Sequence, residues 1–69
     1  MIVNNEIGRN YERMGVYSLA VMYYESCLFS GCLTLHNYKR LAVIYRQRND
    51  MHNFLRVVGR LKVLRSVVL

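Results

Sequence analysis

Residues 7 to 24, IGRNYERMGVYSLAVMYY, constrain the fold more than any other stretch, because their small residues fall where two helices would have to touch. Gly8 and Ala20 stand on either side of Gly15, with Ile7, Tyr11 and Tyr24 as their apolar company. Glycine enters the left-handed backbone region without a Cβ penalty, so Gly15 marks the place where a first helix stops and the chain reverses. Small side chains at 8 and 20 let the two helices approach closely. The stretch predicts a helical hairpin.

The order of these residues resembles the tetratricopeptide repeat, whose signature runs aromatic-x2-Leu-Gly-x2-Tyr, then Ala-x3-Phe, then Pro. Ile7, Gly8, Tyr11, Ala20 and Tyr24 fill five of its slots; Asn4 replaces the leading aromatic and Cys32 the proline. An offset of 34 residues carries Ile7 to Leu41, Gly8 to Ala42 and Tyr11 to Tyr45, and Asn4 to an aromatic, Tyr38. Ala20 maps to Phe54 and Tyr24 to Val58, a poorer fit. A bulky Phe54 predicts a second hairpin that is more open, or shifted in register. The resemblance implies an all-α fold of two helix-turn-helix hairpins stacked as a short tetratricopeptide-like solenoid. Its units would cover about residues 2–33 and 35–67 of a single domain, 1–69. Apolar residues recur on any helix, so an unrelated four-helix chain also yields some of these matches.

Helix limits follow from caps and periodicity. The first helix is expected from about Asn5 to Met14 with Asn4 as cap, and the second from about Tyr17 to Ser30, stopped by Gly31. That second helix is apolar around most of its circumference, which predicts a central position. Thr34 or Asn37 begins the third, and Asp50 caps the fourth. From Phe54 to Leu69 the fourth helix alternates apolar residues with Arg56, Arg60, Lys62 and Arg65, a stripe wider than one neighbour covers. Repeat arrays normally close with a capping helix that has a polar outer face, and this helix lacks one. It is therefore expected to pack on a second copy across a two-fold axis, as a homodimer, through Phe54, Val58, Leu61, Leu64 and Val68.

Composition bounds the function. Of 69 residues 54% are hydrophobic, none is proline, and the net charge is +6 with only four acids, Glu6, Glu12, Glu25 and Asp50. So apolar a chain folds rather than staying disordered, although a core this small offsets chain entropy only narrowly. Eight of the ten cations are arginine, suited to two-pronged recognition of carboxylate or phosphate. An acidic partner is expected; arginines that merely solubilise a greasy chain are the plainer reading. Phe29-Ser30-Gly31-Cys32 resembles a bacterial lipoprotein attachment box, but Glu25 interrupts what would be the apolar core of the leader. No stretch has the roughly 20 mostly apolar residues of a transmembrane span. No membrane association is expected, and the default compartment is the cytoplasm, with reduced thiols.

Catalytic groupings are hard to find. Cys27, Cys32, His36 and His52 do not follow paired zinc-finger spacing, no phosphate-cradling glycine loop is present, and the four acids are scattered. No metal, cofactor or enzymatic activity is expected. The tetratricopeptide resemblance instead implies a groove lined by the first helix of each pair: Asn5, Arg9, Glu12 and Arg13, then Lys39, Val43, Arg46 and Gln47. Arg9, Arg13, Lys39 and Arg46 would then form a cationic ladder for an acidic protein or peptide. Asn5 and Arg9 depart from the Lys-Asn pairing of the family's carboxylate-clamp subclass. Two alternatives stay open. Six tyrosines with eight arginines could serve a nucleic-acid binder, with Tyr17, Tyr23 and Tyr38 free to stack on bases. A small inhibitor occluding a larger protein's acidic site is the other.

Overall fold

Gly15 and Asn49 turn the chain at two points 34 residues apart, with φ of +80° and +57°. The bonds around them repeat at the same offset. Gly15 N–H donates to Glu12 C=O and Val16 N–H to Tyr11 C=O; Asn49 N–H donates to Arg46 C=O and Asp50 N–H to Tyr45 C=O, all between 2.9 and 3.0 Å. Glycine meets the left-handed requirement without strain, and asparagine is among the few other residues that tolerate it. The two turns pair four helices into hairpins, α1 (Ile2–Arg13) with α2 (Tyr17–Ser30) and α3 (Leu35–Gln47) with α4 (Met51–Val68), and residues 31–34 connect the pairs. The computed structural model describes the backbone of residues 2–68 and the side chains of residues 4–64. Among the described residues there is no β-strand.

Helix α1 packs on α2 and α3 on α4, and the two hairpins meet through α2 and α3. Three caps follow the sequence. Gly31 adopts φ +78° at the end of α2, and its N–H and that of Cys32 close on Leu28 and Cys27 carbonyls at 3.1 and 3.0 Å. The Thr34 hydroxyl accepts from Asn37 N–H at 3.2 Å, and the Asp50 carboxylate from Asn53 N–H at 3.3 Å. Asn4 is different: α1 begins at Ile2, so Asn4 lies inside the helix and caps nothing.

Small residues act where the hairpin pattern requires them. Ala20 and Tyr24 are fully buried, and a Cβ built on Gly8 would lie 2.6 Å from the Tyr24 ring. No other residue fits at 8 without moving a buried aromatic. The remaining core is Cys27, Leu28, Leu33, Tyr38, Leu41, Ala42, Ile44, Tyr45 and Val57. Among the described residues four of its members come from α2 and one from α4, because α2 has a neighbour on each side, whereas α4 packs on α3 and reaches α2 through Arg56–Glu25. Central placement does not cover all of α2, however. Its outer side leaves Met22 and Phe29 exposed. In the second hairpin Phe54 and Val58 are only partly buried, and Val57 is the α4 residue that reaches the interior. The interior position has moved off the one an exact repeat assigns.

A polar seam ties the hairpins together. Asn37 Nδ2 donates to Asn5 Oδ1 at 2.9 Å, Asn5 Nδ2 to Cys32 C=O at 3.0 Å, and Thr34 N–H to Asn5 Oδ1 at 3.3 Å. Both asparagines are buried, so Asn5 holds the connection between α2 and α3 rather than lining a groove as the tetratricopeptide resemblance implied. Buried amides so bonded fix one relative placement of the hairpins, since any slide would strand them.

Candidate functional site

The electrostatic landmark of the molecule is Glu12, near the end of α1. Arg40 of α3 donates to Glu12 Oε2 through Nε at 2.7 Å and again through an Nη, and the Tyr24 hydroxyl donates to Oε1 at 2.9 Å. Burial pushes the Glu12 carboxyl up, but the Arg40 and Tyr24 hydrogen bonds and the Arg40 charge outweigh it and hold it below its ordinary value. Burial, then the bond to Glu12, raise the Tyr24 phenol well above its ordinary value. Glu12 thus stays ionised and Arg40 stays pinned beside it.

Around this pair opens a cleft of about 280 Å3 between α1 and α3, lined by Arg9, Glu12, Arg13, Tyr17, His36 and Arg40. An adjoining hollow on α1 is lined by Glu6, Arg9, Asn10 and Arg13. Three guanidinium groups face one carboxylate, so the cleft carries excess positive charge. Among the described residues the ion pairs are Arg40–Glu12 and Arg56–Glu25, so Arg9 and Arg13 have no carboxylate partner. Arg13 bonds instead to Asn10 Oδ1 at 3.3 Å. Guanidinium groups held this way can take a carboxylate or phosphate oxygen in paired hydrogen bonds.

Of the cationic ladder read from the sequence, the structure brings Arg9 and Arg13 together in the cleft. Lys39 and Arg46 are exposed on α3 but do not line it. The α3 cation that does is Arg40, one residue on from Lys39. Its partner Glu12 lies 28 residues away, a pairing that helix periodicity does not reveal.

The α4 residues expected at a dimer interface are placed differently. Phe54, Val58 and Leu61 are partly buried against the protein's own core, Leu64 is exposed, and the Val68 side chain lies outside the described residues. The open side of α4 instead carries Met51, Leu55, Gly59 and Val63, at four-residue spacing. Nothing lies within 4 Å of a Cβ built on Gly59. At the seam beneath, Glu25 of α2 accepts from the Tyr45 hydroxyl and from Arg56, and burial with that bond raises the Tyr45 phenol.

Tyrosines offered for stacking on bases are mostly committed elsewhere. Tyr38 is buried, and Tyr23 is half-buried and stacked on Tyr11, with centroids 5.6 Å apart and planes 15° apart. Tyr17 remains exposed at the cleft. Cys27 is buried, with burial raising its thiol, and the Cys32 thiol lies 3.7 Å from Cys27 C=O. His36 lines the cleft and His52 is exposed at the start of α4. Among the described residues no group of three His, Cys, Asp or Glu side chains gathers as a metal site, and no helix is long and apolar enough to cross a membrane.

Compared with protein-family models, curated proteins and solved structures, the chain gives no match to any of the three.

Proposed function

We propose that this chain is a non-enzymatic interaction module, in the manner of a short tetratricopeptide-like solenoid, whose α1–α3 cleft holds an acidic segment of a protein partner. The observation that carries this reading is the pair Arg9 and Arg13, without a carboxylate partner beside an Arg40 already held by Glu12. Positive charge is concentrated there, which favours capture of an anionic ligand. Two hairpins make a short groove, so affinity for a linear peptide is modest unless copies associate. The exposed apolar side of α4, with Met51, Leu55 and Val63, supports such self-association.

The test is fluorescence anisotropy with a labelled Glu/Asp-rich peptide, against Arg9→Glu/Arg13→Glu and Lys39→Glu/Arg46→Glu variants. Loss of binding in the first pair, with far-UV circular dichroism unchanged and the second pair weakened less, is the expected result. Equal loss in both pairs moves the site to the outer side of α3. A random-sequence oligonucleotide that binds more tightly than the peptide, with steep salt dependence, favours the nucleic-acid reading instead. Tyr17 beside three arginines is the feature on which that second reading stands.

A further inference from the structure

We propose that copies of this chain stack head to tail, the open side of α4 around Leu55 and Gly59 receiving the outer side of α1 and α2 from the next copy, in the register the two hairpins already use. The proposal rests on α4 being a self-association surface and specifies the geometry of that association.

The two hairpins are equivalent in their helix limits and turn bonds. Helix α1 ends at Arg13 and α3 at Gln47, α2 begins at Tyr17 and α4 at Met51, and the turn bonds repeat at the same spacing of 34. Pairs of helix residues across the internal seam therefore have sequence counterparts between the second hairpin of one copy and the first hairpin of the next. The Glu12–Arg40 pair becomes Arg46 with the next copy's Glu6. Charges are again opposite, with the signs exchanged. Both residues are exposed and neither is in an ion pair among the described residues.

The Glu25 contacts also carry over, whereas the buried Asn5–Asn37 amide pair maps onto Lys39 and the next copy's Val3 and is not reproduced. Glu25 accepts from Tyr45 and Arg56 inside the molecule; the counterparts are Gly59 with the next copy's Tyr11 and Met22. A charged bridge is thus replaced by a notch facing an aromatic and a thioether, and no ion is stranded at that position. The faces are open to receive one another. Val21, which packs against the core, has Leu55 as its counterpart, and Leu55 is 62% exposed. Leu41 is fully buried while its counterpart Ile7 is only half-buried, lining with Tyr11, Met14 and Tyr23 a hollow of about 400 Å3. Lys62 replaces buried Leu28 and can lie along the contact with its charge at the rim. Met51 and Val63 border the contact, as exposed Tyr17 and Phe29 border the internal one.

A contact between two different faces is not closed by a two-fold axis; it propagates into rings or open chains. Sedimentation velocity on the wild-type chain, from micromolar to submillimolar concentration, should show species growing past the dimer. Gly59→Arg blocks one face and Met22→Arg the other; both sites are exposed, and circular dichroism checks that each variant stays folded. Each variant alone should be monomeric, and their equimolar mixture should form a one-to-one dimer. A wild-type dimer that does not grow, with a mixture that stays monomeric, overturns the head-to-tail arrangement while leaving self-association through α4 intact. A wild-type chain monomeric throughout overturns both. Glu6→Arg should weaken association several-fold and Glu6→Arg with Arg46→Glu should restore it; no restoration refutes the register.

Discussion

The two hairpins share one backbone plan and differ in which side chains fill the space between their helices. In the first, Gly8 lets the Tyr24 ring lie against the α1 backbone, and α2 contributes Ala20, Tyr24, Cys27 and Leu28 to the core. In the second, Ala42 replaces the glycine, Phe54 replaces the alanine, and α4 fully buries Val57 alone among its described side chains. Turn geometry survives this change because it depends on one left-handed residue and a few backbone bonds. The contact of glycine with a buried ring does not survive, because it depends on side-chain volumes at the crossing. Two hairpins can thus share a turn while differing in the side chains that fill their crossings.

The largest test of that contrast is at the glycines. Gly8→Ala pushes a methyl group into a buried, hydrogen-bonded ring and should cost about 1–3 kcal/mol, whereas Gly59→Ala, on open helix, should stabilise by about 0.5–1 kcal/mol. Urea unfolding of both variants reads the difference directly, and shifts in the same direction would break the comparison. Next comes the pair of ion pairs. Glu12 is 10% exposed and Glu25 28%, so removing the cation leaves the first stranded more deeply. Arg40→Ala should cost about 1–2 kcal/mol through an unpaired, part-buried carboxylate, and Arg56→Ala less than about 1 kcal/mol.

The turns should differ by less. Gly15→Ala places a Cβ in the left-handed region and should cost about 1 kcal/mol, while Asn49→Gly should change stability by less than about 0.5 kcal/mol. Thermal midpoints of the two variants check this. The smallest expected effect is in pH dependence. The folded-state pKa of Glu12 is lowered, so its contribution is complete above the unfolded carboxylate value of about 4.3 and is lost as pH falls through the lower folded value. In Arg40→Ala burial dominates the carboxyl, and the acid-side loss should shrink. Tyr24 and Tyr45 are both raised; their contribution is complete below about pH 10 and is lost as pH rises through the folded values. Denaturant midpoints against pH measure both limbs, and the alkaline one should persist in Arg40→Ala through Tyr45.

Much of the fold was legible before any coordinates. The limits of α2, the stops at Gly15 and Gly31, the caps at Thr34 and Asp50 and the burial of Tyr24 and Tyr45 all followed from local chemistry. Asn5 was misplaced because its partners, Asn37, Cys32 and Thr34, lie beyond its own hairpin, and the inner side of α4 because its apolar stripe packs on α3 and the protein's own core. Half of the cationic site was legible too: Arg9 and Arg13 share the cleft, but Arg40 enters it only because Glu12 draws it there.

The sequence by itself determined four helices and two reversals, because caps, glycines and apolar spacing act within a few residues of themselves. Only the tertiary structure decided which arginines remain without a carboxylate and which side of α4 stays open. Those outcomes depend on contacts between residues about 30 apart, where the seating of one hairpin on the other assigns every partner.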